Sequence, residues 1–310
     1  MSQVPVSWHR VVSRTGTGPA WLTLFRIGNT LTGVIGVFLG AIVALGELPT
    51  GKLAVITTLQ AMSVLCFMAS WNALNDIFDL EIDKVNRPDR PLPSGVISVG
   101  LAKMVTSLMM AMSLLCMLLA WLTVDSMGYE FSEWAPSLAI WFIALFLLAN
   151  YEFPNSLRLK DRGLPGNIAI SISVGLVAVF GAAGVLQPYN HRAWSLFLVG
   201  IFYNTSREVV KDIEDMAGDE GRNTLAMRVG AESARTAAWV LSLLAFAAVI
   251  TPFALEIFPP LHVVFTIPAV ITLMLVKSKL INSEDHQASS LLKKSMTLCL
   301  AAFLASSLIG

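Results

Sequence analysis

Apolar residues occur in long runs along this chain, near residues 21–46, 53–75, 99–123, 135–153, 166–187, 193–211, 234–254, 258–276 and 289–309, with short polar segments between them. A helix rises about 1.5 Å per residue, so roughly 20 apolar residues cross the ~30 Å hydrocarbon layer of a bilayer. The pattern predicts an all-α membrane protein of about nine transmembrane helices, the fourth and sixth runs being short. Residues 1–20 are polar and contain no apolar core of a cleavable signal, so they read as a cytoplasmic segment ahead of one membrane domain, residues 21–310.

The polar segments assign an orientation. Arg10 and Arg14 precede the first run. Lys84, Arg87, Arg90 and Lys103 follow the second, and Arg158, Lys160 and Arg162 the fourth. Arg207, Lys211, Arg222, Arg228 and Arg235 follow the sixth, and Lys277, Lys279, Lys293 and Lys294 the eighth. Eighteen of the 21 Lys and Arg residues thus fall on one side, Lys52 and Arg192 fall on the other, and Arg26 lies inside the first run. Cytoplasmic loops carry such an excess, which places the N-terminus in the cytoplasm and the C-terminus outside. A miscounted span would break this alternation.

Composition agrees: 55% of the residues are hydrophobic, 14% are charged, and mean hydropathy is +0.69. These values describe an integral membrane protein, and a multi-pass protein of the cell membrane is the expected location. Net charge is zero, which leaves no electrostatic footprint for nucleic acid. Cys66, Cys116 and Cys299 stand singly inside apolar runs, as packing residues do, without metal-ligand spacing.

Against this background the acidic residues stand out. Residues 72–95 read NALNDIFDLEIDKVNRPDRPLPSG, directly after an apolar run. An Asp costs roughly 2.5–3.5 kcal/mol at the centre of a membrane helix and less toward the interface, so its presence marks function. At about 100° per residue, Asp76, Asp79 and Asp83 lie within roughly 60° of one another, with Asn72 in the same arc. A second stretch, REVVKDIEDMAGDEGRNTLAMRVG at 207–230, repeats the spacing in Asp212, Asp215 and Asp219. Both stretches lie at the cytoplasmic end of an even-numbered span. Carboxylates about 6 Å apart repel by roughly 2–3 kcal/mol per pair at an effective dielectric near 20. Such clusters need cations, and oxygen ligands without His or Cys favour Mg²⁺, which commonly bridges carboxylates to substrate phosphates. The competing reading is a solvated loop whose acids pair with Arg87, Arg90, Lys211 and Arg222; two runs of one spacing in a chain this poor in charge argue against it.

NDIFDLEIDKVNRPDRPLPSG resembles the first aspartate motif of the UbiA-type membrane prenyltransferases, NDxxDxxxD followed by NRPxRPxxxG, and DIEDMAGD is similar to their second, DxxxD-type motif. With the span count, the likeness covers nearly the whole chain. It implies nine helices around a central cavity, with both motifs on the cytoplasmic side holding Mg²⁺ and an isoprenyl diphosphate. On this resemblance Asp76, Asp79 and Asp83 hold one Mg²⁺, Asp212, Asp215 and Asp219 hold another, and diphosphate bridges the two ions. Asn72, Asp76 and Asp212 become the catalytic residues. Arg26, Asn75, Tyr151, Lys160, Asn167 and Lys211 become diphosphate contacts. Lys84, Arg87, Arg90, Arg158 and Arg207 are the cations available to an acceptor's phosphate. Plainer roles compete at several positions: snorkelling for Arg26, interhelical amide pairing for Asn72 and Asn75, and an ordinary loop lysine for Lys160.

REVVKDIEDMAGD is most similar to the archaeal branch that adds a second geranylgeranyl chain to geranylgeranylglyceryl phosphate, a lipid-soluble acceptor. The alternatives are a prenyltransferase for an aromatic or quinone precursor or a chlorophyllide, and, from another class, a divalent-cation transporter with paired intramembrane acids.

Overall fold

The computed structural model describes residues 17–153, 155–216 and 223–309. In chain order its helices are α1 (Thr17–Leu24), α2 (Ile27–Leu45), α3 (Gly51–Phe78), α4 (Leu80–Asn86), α5 (Val99–Asp125), α6 (Phe131–Glu152), α7 (Leu164–Gly184), α8 (His191–Glu214), α9 (Leu225–Val229), α10 (Ala231–Ala254), α11 (Ile267–Ile281) and α12 (Asp285–Ile309). Short 3₁₀ segments at Leu159–Asp161 and Pro260–Thr266 lead into α7 and α11. No strand occurs among the described residues. Among the described residues, eight helices are long and apolar enough to cross a membrane: α2, α3, α5, α6, α7, α10, the continuous Pro260–Ile281 and α12. At 24 residues α8 has comparable length, but Arg207, Glu208, Lys211, Asp212 and Glu214 make its last two turns polar.

The first apolar run is not one helix. The chain breaks between α1 and α2, where Arg26 takes a left-handed backbone (φ 46°). The carbonyl of Phe25 freed by this break accepts from Thr30 Oγ1 at 2.8 Å and from Asn72 Nδ2 at 3.0 Å. Paired in this way, it escapes the penalty of an unsatisfied backbone group in a low-dielectric setting. Arg26 therefore sits at a helix junction and not one turn inside a continuous span.

Small residues let central helices approach closely. A Cβ on Gly40 would overlap the Ala178 carbonyl, and one on Gly181 would overlap the Val37 carbonyl, so α2 and α7 pack backbone to backbone. Polar ties then fix the two helices that carry the acidic ends. Ser63 on α3 pairs with Ser113 on α5, which also accepts from Trp141 on α6. Ser206 on α8 donates to Ala238 O on α10, and Tyr203 pairs with Ser295 on α12. All three cysteines are buried and unpaired, as packing residues should be. Trp71 is buried too, stacked on Phe67 with an interplanar angle of 13°.

Candidate active site

The first motif follows the end of α3 into α4. Asp79 caps α3 with near-helical angles (φ −88°, ψ 8°), and Asp83 N bonds back to Asp79 O at 2.8 Å, so the acidic stripe continues across the junction. Asp76 and Asp83 are buried. Beyond α4, the segment NRPDRPLPSG coils into successive turns, with Arg90 N on Arg87 O, Ser94 N on Arg90 O and Gly95 N on Leu92 O. Pro88 and Pro91 fix φ on both sides of Asp89–Arg90, and the turn closes at Gly95 with φ 75°, a value natural to glycine. Folded back in this way, Arg90 donates through Nη1 to Asp83 Oδ2 at 2.6 Å and to Asp76 Oδ1 at 3.4 Å. Arg26 Nη2 reaches the same Asp76 oxygen at 2.8 Å and Asn75 Oδ1 at 2.8 Å.

Asp79 faces a different set of partners. Its Oδ1 accepts from Lys160 Nζ at 3.0 Å and its Oδ2 from Asn75 Nδ2 at 3.3 Å. Both donors also reach Glu152, the last residue of α6: Lys160 at 2.6 Å and Asn75 at 2.9 Å. Glu152 is 2% exposed. Asn75, Asp79, Lys160 and Glu152 thus close a ring of four side chains. Sequence reasoning missed Glu152, whose only local signal is an acid ending an apolar run.

The second motif ends α8. Asn167, buried on α7, donates Nδ2 to Asp212 Oδ2 at 2.8 Å, and its carbonyl accepts from Ser171 Oγ at 2.6 Å. Glu208 takes Lys211 at 2.7 Å and Arg207 at 3.2 Å. Asp215 is exposed at the helix end, and Asp219 lies outside the described residues. Lys160 and Asn167 stand on either side of the turn that opens α7, so this one connection contacts both acidic ends. Tyr151 lies half-buried in the last turn of α6.

The remaining expected cations are distributed over the surface. Lys84 pairs with Glu81 and Arg158 with Asp161, both at 2.7 Å, and Arg87 is exposed. Arg207 is half-buried, and its Nε is buried without a hydrogen-bond partner. Asn72 holds the α1–α2 break, which is the interhelical amide role. Beside that break lies an open hollow of about 350 Å³ lined by Leu22, Thr23, Arg26, Ile27, Gly28 and Asn29.

Among the described residues no three His, Cys, Asp or Glu side chains converge closely enough to hold a metal ion. The donor chemistry nonetheless fits a hard cation. Every candidate ligand is a carboxylate or carboxamide oxygen, and Asp76 and Asp83 already converge on one cationic nitrogen. What the site can do follows from its charges. The carboxylates are compensated by three cations, Arg26, Arg90 and Lys160, each of which also presents donors that an anionic substrate can take.

Comparison with known proteins agrees with this geometry. The profile of the UbiA prenyltransferase family matches residues 33–306. Digeranylgeranylglyceryl phosphate synthase of Thermococcus gammatolerans is 32% identical over 299 residues, covering 94% of this chain and 99% of the relative. The protein of that name from Methanopyrus kandleri is 34% identical over 293 residues, covering 93% and 98%. A solved structure from a study of digeranylgeranylglyceryl phosphate synthase in membranes superposes with a TM-score of 0.73 at 27% identity, covering 95% of this chain and 99% of that one. A UbiA homologue from Archaeoglobus fulgidus, solved with GPP and Mg²⁺, shares the fold with a TM-score of 0.64 at 18% identity, covering 94% and 100%. The chain belongs to the UbiA prenyltransferase family and is an intramembrane prenyltransferase.

Proposed function

We propose that this protein transfers a geranylgeranyl group from geranylgeranyl diphosphate to the free hydroxyl of geranylgeranylglyceryl phosphate and releases diphosphate, a Mg²⁺-dependent step of ether-lipid synthesis. The similarity to synthases of that name over 94% of the chain carries the choice of acceptor. Two acidic helix ends joined by the Lys160–Asn167 connection carry the chemistry. In this reading α8 is the ninth span around a central cavity. Its length supports this, as does the side on which 18 of the 21 cations fall, with the N-terminus and active site cytoplasmic, the C-terminus outside, and the cell membrane as the location.

Asp76, Asp79 and Asp83 would hold one Mg²⁺, and Asp212, Asp215 and Asp219 a second, with diphosphate between them. Bound magnesium would neutralise the charge that grows on the leaving diphosphate. The chain's own groups do the rest. Arg26, Asn75, Lys160, Asn167 and Lys211, with Tyr151 beside Glu152, bind and orient the diphosphate oxygens. Asn72 contributes by holding the break that presents Arg26. The allylic C1–O bond breaks, the acceptor oxygen bonds to C1, and the hydroxyl proton passes to diphosphate or to a nearby carboxylate. A hydroxyl is a weak nucleophile at neutral pH, so ionisation leads. The acceptor's phosphate needs a cation of its own, from among Lys84, Arg87, Arg90, Arg158 and Arg207. Arg207 has one ion pair, to Glu208 at 3.2 Å, and a side chain 28% exposed, whereas Arg90 already serves two carboxylates.

Binding linkage separates this reading from cation transport. Prenyl diphosphate should tighten Mg²⁺ binding by the factor by which Mg²⁺ tightens prenyl diphosphate. Mg²⁺ flux into proteoliposomes with neither coupling nor prenylated product would favour a transporter. Supplying labelled geranylgeranyl diphosphate with separate acceptors identifies which one is prenylated.

A further inference from the structure

Among the described residues Glu152 is the most deeply buried acid near the site, and the reaction as described makes no use of it. A carboxylate at 2% exposure is costly unless paired. Its two partners are both site residues. Asn75 Nδ2 is at 2.9 Å, and that amide's oxygen receives Arg26; Lys160 Nζ is at 2.6 Å and also bridges to Asp79. The Lys160 side chain is 7% exposed. If Asp79 turned to a metal ion, Lys160 without Glu152 would be left as a buried cation with no counter-ion.

The loop that carries Lys160 does not need this contact to keep its place. A Cβ on Gly166 would overlap the Leu159 carbonyl, and one on Gly163 would meet Leu225 N at 2.7 Å and Asn223 O at 3.0 Å, so the connection is seated by backbone packing. The Asp161 and Arg162 amides close turns onto Arg158 and Leu159, both at 3.0 Å. The contact with Glu152 therefore sets the position of the ammonium and not that of the loop.

We propose that Glu152 is a positioning residue for Lys160: it holds the ammonium as a counter-ion when Asp79 is taken by metal, and keeps that cation aimed at the substrate diphosphate. An ammonium has three donors. Two are used here, on Glu152 and Asp79, and release of Asp79 leaves two for diphosphate oxygens while the tie to Glu152 persists. Glu152 itself touches no reacting atom. The proposal rests on the prenyl-transfer reading above.

The test is an equilibrium titration of purified protein, in Mg²⁺, with a non-reactive prenyl thiolodiphosphate. Loss of a charge-assisted hydrogen bond corresponds to about 10- to 100-fold in affinity, so Glu152→Gln should weaken binding by that order. Lys160→Met should weaken it comparably, and the double variant should be no weaker than Lys160→Met alone. KM for the diphosphate should rise in proportion, with KM for the acceptor unchanged. Wild-type affinity in Glu152→Gln overturns the proposal. So does a double variant weakened by the product of the two single effects, or a uniform fall in kcat and both affinities, which marks a merely structural role. If Glu152→Gln does not fold, Glu152→Asp decides, because it keeps the charge but draws the carboxylate back from Lys160: a tenfold loss upholds the proposal and wild-type affinity overturns it. The titration needs neither acceptor nor turnover, so it survives a wrong acceptor assignment. Failure of the wild-type protein to bind the analogue would instead remove the diphosphate reading itself.

Discussion

Arg90 places Nη1 2.6 Å from Asp83 Oδ2, closing a seven-residue excursion of the chain on a carboxylate that is 6% exposed. With Asp76 at 3.4 Å from the same nitrogen, one guanidinium stands where the two acids need positive charge. Removing one partner of a buried pair leaves the other uncompensated, at a cost on the order of 3 kcal/mol. Arg90→Met should therefore lower the unfolding temperature of the detergent-solubilised protein in EDTA. The loss should be smaller in Mg²⁺, because an ion that binds the folded state stabilises it by mass action. An equal loss in both conditions would argue that Arg90 and metal do not share these carboxylates.

Asp76 and Asp212 are expected to be indispensable to function but not to folding, although Asp76→Ala takes a carboxylate from Arg26 and Arg90 and should lower stability. Asp76 lies at the end of α3 and Asp212 in the last turn of α8, and neither fills a hydrophobic core. Asp76→Ala or Asp212→Ala should cut turnover by roughly 10²–10³-fold, the range seen when one stabilising group is lost from a charge-developing site. Both should elute as folded protein, and excess EDTA should abolish wild-type turnover. Normal turnover by either variant would contradict the two-cluster arrangement.

For Asn72 the structure favours an indirect role. Its amide supports the Phe25 carbonyl at the break that presents Arg26. Asn72→Leu should cost about 1 kcal/mol of stability, because the Phe25 carbonyl loses one of its two donors and keeps Thr30 Oγ1, and should raise KM for the diphosphate more than it lowers kcat. A large fall in kcat with the unfolding temperature and KM unchanged would show instead that Asn72 acts in the chemical step.

An acceptor phosphate bound remotely from C1 contributes ground-state binding. Arg207→Gln should therefore raise KM for geranylgeranylglyceryl phosphate about tenfold, the worth of one hydrogen bond to a charged group, and leave KM for the diphosphate near its wild-type value. Steady-state kinetics with each substrate varied in turn checks this. A shift confined to the diphosphate would move Arg207 to the other substrate.

The acidic stripe was legible because one residue type recurs at helical spacing where charge is costly. Asp76, Asp79 and Asp83 show that signal in the sequence, and folding keeps them adjacent across the α3–α4 junction. How they divide was not legible. Asp76 and Asp83 go to Arg90, while Asp79 goes to Lys160, 81 positions away. Glu152 escaped for the same reason, since its partners lie 77 and 8 positions distant and no local periodicity marks it. The break at Arg26 was hidden because the apolar pattern runs unbroken from 21 to 46, and only the capture of the Phe25 carbonyl by Thr30 and Asn72 reveals it. Helix α8 falls on the sixth apolar run, with Ala193 to Tyr203 carrying its apolar character between the polar His191–Arg192 start and the charged end. Trp71, placed at a span end by pattern, is buried by aromatic contacts with Phe67 and Phe153 that no linear window contains.

The central claim is that the two acidic helix ends serve prenyl transfer to a glyceryl phosphate lipid. Its most direct test is a single competition. Purified protein in lipid receives labelled geranylgeranyl diphosphate, Mg²⁺ and equal amounts of geranylgeranylglyceryl phosphate, an aromatic acid and a chlorophyllide, and the products are identified by mass. The account predicts label in the doubly geranylgeranylated glyceryl phosphate, and none with Asp76→Ala or Asp212→Ala. Label in the aromatic acid or the chlorophyllide, with the glyceryl phosphate lipid untouched, would contradict it.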